Sequence, residues 1–372
     1  MKYKQQTLNE IAKLSAGEGE RTALVGLDGF VDLLMTPVGK RYGLGESFES
    51  IATIQSFGER ILAAAGKSTN IEMFPKMEKL GGNGPIMANA LLNLGVGTRY
   101  IGGLGLPVIH PVFAEFARKT SAVSIADPGI THALEFDDGK LMLGQTAAME
   151  AITYEAIIEA TGEGAFFDLM SRSDLIAMVN WTMIPGMTRI LKAFLEKVLP
   201  NLGPRDHRRF FFDLADPEKR SDGDIKTLLQ TIVRFKSHGT VTLGLNLKEA
   251  QQIDKLLGHD PIGDSPDELM TMASRIRRAT DLSFVAIHPT SSAVCATKDD
   301  AWFTPGPYVA KPKITTGAGD HFNAGLCAGQ LLGLTPPACL TLAVATSGSY
   351  VRSARSPSLE ELVSFIGSWS DE

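Results

Sequence analysis

Short apolar runs recur along the chain at Ala23 to Leu27, Arg99 to Gly102, Leu175 to Asn180, Phe210 to Asp213, Val241 to Asn246 and Phe284 to His288. Segments of helical periodicity separate most of them, and this alternation predicts βαβ units around a mainly parallel sheet. Ile51, Ile54, Phe57 and Ile61 share one helical face, while Ser265 with Glu268 and Ser358 with Glu361 match the spacing of a capping box. From Ala318 onward the pattern is predominantly helical. One stretch departs from the alternation: Ala122 to Ala126, His132 to Phe136 and Leu141 to Gln145 read as strands. The last two are joined by Asp137-Asp138-Gly139-Lys140, whose Asp-Gly is a hairpin signal, so a small antiparallel element is expected to project from the main body. There is no internal repeat, low-complexity segment or Pro/Gly/Ser-rich linker, and residues 1–372 are expected to form one domain.

The densest chemistry lies at Thr315-Thr316-Gly317-Ala318-Gly319-Asp320, which runs directly into His321-Phe322-Asn323-Ala324-Gly325. Small residues at 317–319 let successive backbone N–H groups approach an anion, and the spacing of Phe322, Leu326 and Leu334 predicts a helix beginning there. Helix starts favour negative charge. A carboxylate at the rim of an anion site is unfavourable unless it has a task, and for Asp320 that task is deprotonating an incoming hydroxyl. Other polar groups cluster at predicted strand ends, where ligands of open α/β sheets bind. Asp28 and Asp32 follow the first strand, Asp213 closes a later one, and Asn246-Leu247-Lys248-Glu249 ends a strand and begins a helix. Gly81-Gly82-Asn83-Gly84-Pro85 is a glycine turn leading into another helix.

Two further patterns are decoys. Gly66-Lys67-Ser68-Thr69 ends like a P-loop, but the required first glycine falls on Ile61 and the preceding segment is helical. Gly103 and Gly105 are only a fragment of a dinucleotide fingerprint, and the histidines lack zinc-ligand spacing.

The string TTGAGDHFNAG resembles the C-terminal signature of the ribokinase-like (PfkB) carbohydrate kinase family, and the glycine turn at 81–84 resembles its N-terminal signature. The resemblance extends over most of the chain. It implies a three-layer α/β/α sandwich with a central mainly parallel sheet and a small β lid, its strands within 30–45 and 120–148. The implied activity is transfer of the terminal phosphoryl of a purine nucleotide, ATP with ADP as a second candidate, to a hydroxyl of a sugar or nucleoside. Residue by residue, it makes Asp320 the base and the Gly317, Ala318 and Gly319 backbone an anion hole. Asp32, with Asp28 as an alternative or as a turn former, and Gly81, Gly82 and Asn83 would meet the acceptor. Thr315, Thr316, Gly317, Gly319, Asn246 and Asn323 would meet the nucleotide, and Asn246, Glu249 and Asp213 would organise Mg2+.

Three departures from the family pattern bear on these roles. Ile86 stands where many members have an asparagine, which shifts polar recognition toward Asn83 or Asn89. Ile314 stands where an aspartate is usual beside a monovalent-cation loop, so no monovalent cation is implied. His288-Pro289-Thr290-Ser291-Ser292 replaces a GxxG turn near the nucleotide. These losses also motivate an alternative, a catalytically weak relative that binds sugar or nucleotide as a sensor or scaffold.

Charge and cysteine usage narrow the setting. A formal net charge of −6, from 42 acidic and 36 basic residues without a long Lys/Arg block, argues against a nucleic-acid partner. Neither an apolar signal region nor a membrane-length apolar run is present. Three cysteines without CxxC spacing suggest neither a disulfide framework nor a thiolate metal site, which fits a reducing cytoplasm. Exposed lid strands are available to pair two copies into a homodimer.

Overall fold

The computed structural model describes residues 2–14, 21–203 and 207–369. Its strands, in chain order, are β1 (Thr22–Leu27), β2 (Phe30–Arg41), β3 (Phe48–Ser50), β4 (Met73–Gly81), β5 (Gly97–Gly103), β6 (Val123–Ala126), β7 (Gly129–Phe136), β8 (Gly139–Gln145), β9 (Leu175–Met178), β10 (Arg209–Asp213), β11 (Thr240–Asn246), β12 (Phe284–His288), β13 (Ser292–Ala296) and β14 (Ala301–Pro305). All six apolar runs become strands of one nine-stranded sheet, ordered β14-β13-β12-β11-β10-β9-β1-β5-β6. Pairing is parallel from β6 to β12, and β13 and β14 continue it antiparallel.

The runs are continuous rather than alternating because both sheet faces are covered. On β9, Leu175 and Ala177 enter one core while Ile176 and Met178 enter the other; on β10, Phe211 faces opposite to Phe210 and Phe212. Helices supply both covering layers, giving the expected three-layer α/β/α arrangement. From β1 the chain order grows outward through β5 on one side and through β9 on the other. The carboxyl ends of β1 and β9 therefore flank the point where the strand order reverses, where ligands of such sheets bind.

A second sheet stands beside these carboxyl ends, with β2 at its centre. β4 pairs antiparallel with β2, β7 pairs parallel with it, β8 returns along β7, and β3 extends the far end of β2. The Asp-Gly hairpin between β7 and β8 forms as expected. The segment beginning at Ala122 behaves differently: β6 pairs parallel with β5 and closes the edge of the main sheet. In its place β4 joins the second sheet, a strand that its proline and mixed charges, MFPKMEKLG, had hidden. The helical face proposed near residue 51 is also shorter than expected. The helix is Ile54–Leu62, with Phe57 buried against the second sheet and Ile61 exposed.

Both expected capping boxes form, at Ser265/Glu268 and Ser358/Glu361, and a third forms at Asn246/Glu249. The helix opened by the GAGD turn, Ala318–Leu331, is buried along its whole length from Asp320. It lies close against the helix Pro336–Ser353. A Cβ on Gly325 would come within 2.8 Å of the Ala343 Cα, so this glycine serves helix packing and not chemistry.

Candidate active site

A cavity of about 830 Å³ opens between the carboxyl edge of the main sheet and the second sheet. Asn180, Asp213, Asn246 and His288, which follow or end β9, β10, β11 and β12, form one wall. Phe30 and Asp32 of β2, Thr131 of β7 and Met142 to Gly144 of β8 form the other. Two helix starts meet between them: that of Asn83–Asn93, with Gly82 and Asn83, and that of Ala318–Leu331, with Thr316, Gly317, Gly319 and Asp320. The start of Ala318–Leu331 favours an anion in the cavity, whereas that of Asn83–Asn93 is already met by the Asp28 carboxylate.

Asp320 sits where these elements join. The Asn83 side-chain amide donates to its Oδ1 at 2.9 Å, which fixes the carboxyl orientation. Burial raises its pKa to about 8, and the nearby carboxylates of Asp28 and Asp32 push the same way. Asn83 is itself fixed from behind. Asp28 is fully buried and accepts from Asn83 N at 2.9 Å, Gly84 N at 2.8 Å and the Asn180 side-chain amide at 2.7 Å. The Tyr100 hydroxyl donates to the Asp28 carbonyl. Asp28 thus acts as an anionic cap on the helix start. The glycines make room for both aspartates: a Cβ on Gly81 would lie 2.3 Å from Asp32 Oδ1, and one on Gly84 would lie 2.6 Å from Asp28 Oδ1.

On the opposite side, the NxxE string is committed to backbone. Asn246 Oδ1 accepts from Glu249 N at 2.9 Å; Glu249 accepts from Asn246 N at 2.9 Å and from Asp216 N at 2.8 Å. Glu249 therefore ties the loop after β10 to the end of β11. Asp213 is buried, and its pKa is raised well above the carboxylate range by burial and by the charges of Glu249 and Asp320. Its Oδ2 accepts from Asn323 at 3.0 Å, whereas among the described residues Oδ1 has no hydrogen-bond partner; nor do the buried Oδ1 atoms of Asn180 and Asn323.

Such orphaned oxygens fit a hard cation. Among the described residues no three of His, Cys, Asp and Glu converge to hold a metal ion on their own. This donor set suits Mg2+, which is held through one or two carboxylates together with waters and phosphate oxygens.

The structure thus gathers Asp32, Gly82, Asn83, Asp213, Asn246, Glu249, Thr316, Gly317, Gly319 and Asp320 around one cavity. Asp28, Gly81, Thr315, Ala318 and Asn323 do not line it. Asp28 and Asn323 stand one layer back, behind Asn83 and Asp213 respectively, and Gly81 backs onto Asp32. Ala318 N donates to the Thr315 carbonyl at 3.1 Å, which closes the turn and turns that amide away from the cavity. Of the two candidate asparagines, Asn83 faces the cavity and Asn89 points to Ser356. Ile86 lines the cavity and also packs under the turn, its Cγ2 lying 3.2 Å from where a Gly317 Cβ would be.

Two participants were not legible as such. Asn180, buried in a left-handed conformation (φ 58°) just after β9, was hidden inside an apolar run. Lys140 read only as a turn residue, yet its Nζ reaches Thr316 Oγ1 at 3.3 Å and links the second sheet to the GAGD turn.

Comparison with known proteins agrees with this geometry. The sequence pattern of the family described as prokaryotic ketohexokinase matches residues 7–369. A ketohexokinase of Haloferax volcanii is 25% identical over 350 residues, covering 94% of this chain and 91% of that protein. Solved structures share the fold at lower identity. The fructokinase of Xylella fastidiosa with bound ATP superposes with a TM-score of 0.65 at 14% identity, over 94% of this chain and 99% of that one. The ribokinase of Arabidopsis thaliana complexed with ribose and ATP gives 0.62 at 14% identity, over the same shares. The chain belongs to the prokaryotic ketohexokinase family, a branch of the ribokinase-like (PfkB) kinases, and is a sugar kinase that uses an alcohol group as phosphoryl acceptor.

Proposed function

We propose that this kinase transfers the terminal phosphoryl of ATP to a hydroxyl of a ketohexose, with Asp320 as general base. The observation that carries this reading is the placement of the Asp320 carboxyl. It is buried, raised to about 8, held by Asn83 and set beside the Gly317–Gly319 turn in a cavity where an anion is favoured. In the proposed step Asp320 takes the proton of the acceptor hydroxyl, and the acceptor oxygen forms a bond to the terminal phosphorus. The bond from that phosphorus to the bridging oxygen breaks, leaving ADP. The amides of Gly317 and Gly319 stabilise the charge spread over the transferred group.

Asp32 is the carboxylate on the second sheet's side of the cavity, suited to accept from two neighbouring sugar hydroxyls. Asp213, and Asn180 beside it, have unpartnered oxygens in the cavity wall and would hold Mg2+ together with waters; the ion when bound would supply positive charge to the phosphate oxygens. Glu249 acts by holding the Asp216 loop. The second sheet serves as a lid that excludes water from the transferred phosphoryl. The names of the relatives support a ketohexose acceptor and an ATP donor.

A coupled assay of ketohexoses, aldohexoses, ribose and nucleosides, each with ATP and with ADP, tests the reading. A ketohexose with ATP is expected to give the highest kcat/KM. Preference for ADP or for a nucleoside overturns the donor or acceptor assignment, and binding of sugars without any phosphorylation establishes a sensor instead.

Met77 on β4, and Tyr42 and Leu44 in the turn between β2 and β3, are exposed, which supports pairing of two copies at this end of the second sheet. Sedimentation velocity is expected to give a dimer that Leu44→Lys with Met77→Lys dissociates; a monomeric wild type removes the idea. No helix among the described residues is long and apolar enough to cross a membrane. The three cysteines are free and buried, which supports a reducing, cytoplasmic setting.

A further inference from the structure

A turn that aims its N–H groups at an anion directs carbonyls away from it, and those carbonyls need donors of their own behind the turn. Here the protein supplies them. The Thr315 carbonyl accepts from Ala318 N, closing the turn. The Thr316 carbonyl accepts from the Tyr350 hydroxyl at 2.9 Å. The Gly317 carbonyl accepts from His321 N at 3.0 Å and from His321 Nδ1 at 2.7 Å.

A carbonyl can only accept, so Nδ1 carries the ring hydrogen. Nε2 is then the acceptor for the Ser356 hydroxyl, 2.8 Å away. The imidazole lies flat on the Tyr350 ring, centroids 3.6 Å apart and planes 12° from parallel, so each side chain fixes the other. Burial lowers the His321 pKa to about 4, which keeps this neutral arrangement at physiological pH. Both side chains are buried, and neither lines the cavity.

The segment leading into the turn is held from the same helix. The Arg352 guanidinium donates to the carbonyls of Pro307 at 2.6 Å, Tyr308 at 2.7 Å and Gly348 at 2.9 Å, gathering three carbonyls around one fixed positive charge. Lys313 N adds a bond to the Val351 carbonyl at 2.8 Å.

We propose that Tyr350 and His321 are positioning residues that hold the phosphate-facing turn by its carbonyls, so that the turn keeps its shape without a bound monovalent cation. The proposal rests on the reading of Gly317 and Gly319 as the site of the transferred phosphoryl.

Tyr350→Phe tests it, because it keeps the ring and its stack on His321 and deletes only the hydroxyl. The expected result is a kcat about ten- to a hundredfold lower and a raised KM for nucleotide. The sugar KM and the urea midpoint are expected to stay at wild-type values. Ser356→Ala, which removes the hydroxyl behind His321, is expected to give the same pattern more weakly. The wild type is expected to run equally fast in potassium chloride and tetramethylammonium chloride at matched ionic strength. Unchanged kcat and nucleotide KM in both variants, or a shift confined to the urea midpoint, overturns the positioning role. Several-fold activation of the wild type by potassium overturns the cation-free turn. Asp320→Asn, assayed alongside, separates the two levels: if it is inert while Tyr350→Phe is unaffected, the positioning role alone falls. If Asp320→Asn turns over normally, the base assignment falls, and the nucleotide KM of Tyr350→Phe still decides the positioning role.

Discussion

Asp320→Asn is expected to lower kcat by about 10²- to 10⁴-fold and, at neutral pH, to make the protein harder to unfold. Both effects come from one buried carboxyl. In the folded chain it titrates near 8, and in the unfolded chain near its ordinary value of about 3.9. Between those values the folded state keeps a proton that the unfolded state has released. Stability from this group is therefore greatest below about pH 4 and is lost as pH rises through about 8. A gap of this size sets a ceiling on the order of 5 kcal/mol, which the uncharged amide recovers while keeping an oxygen for Asn83.

Urea unfolding of wild type and variant at pH 5 and pH 8 reads the sign, and steady-state turnover reads the base. The same titration makes wild-type kcat/KM rise with pH through about 8, since only the carboxylate can take the proton. Turnover within a few-fold of wild type, or a variant less stable at pH 8 than wild type, sinks the assignment.

The second large effect is expected one layer behind the cavity. Asp28→Asn places an amide N–H₂ where one carboxylate oxygen accepts from buried donors. Either Gly84 N, or Asn83 N together with the Asn180 side chain, then faces a donor. Leaving such groups unpaired costs about 2–4 kcal/mol. The start of the helix Asn83–Asn93 also loses its anionic cap, and with it the orientation that Asn83 gives to Asp320. The urea midpoint and kcat are expected to fall together. An unchanged midpoint would show that Asp28 is not the anchor of this helix start, and a lowered midpoint with unchanged kcat would detach it from Asp320.

These two aspartates also mark how far the sequence could be read. Asp320 was legible as a candidate because its signature is local: small residues, a helix start and a carboxylate lie within a few positions. Asp28 and Asp32 carry no such distinction, being four residues apart after the same strand. Spacing favoured Asp32 for the acceptor, and Asp32 lines the cavity whereas Asp28 does not. That Asp28 instead caps a helix more than fifty residues later depends on β1 lying beside the start of that helix, which no local pattern encodes. The NxxE string shows the same division. The resemblance made it a metal-organising pair, and the structure forms a capping box from it while adding the bond to Asp216.

The main sheet was legible because a strand buried on both faces must be apolar at nearly every position, a demand written directly into composition. The second sheet was only half legible. Its strands have one face toward a ligand cavity or solvent, so β4 can carry Pro75, Lys76, Glu78 and Lys79 and still pair along β2. β6, short and apolar, could have joined either sheet, and its pairing with β5 was decided by the packing of the main sheet edge.

By itself, then, the sequence determined the βαβ architecture, the helix starts and the glycine turn that carries Asp320, because each depends on neighbours within one turn or one strand. Only the tertiary structure decided that Asn83 would hold Asp320, that Asn323 would stand behind Asp213, and that Tyr350 and His321 would support the turn. Three of these four contacts join segments 34 to 237 residues apart, and the fourth needs Tyr350 to fix the histidine ring. Their formation follows from the closing of the sheet and its helices around the cavity, not from local preference.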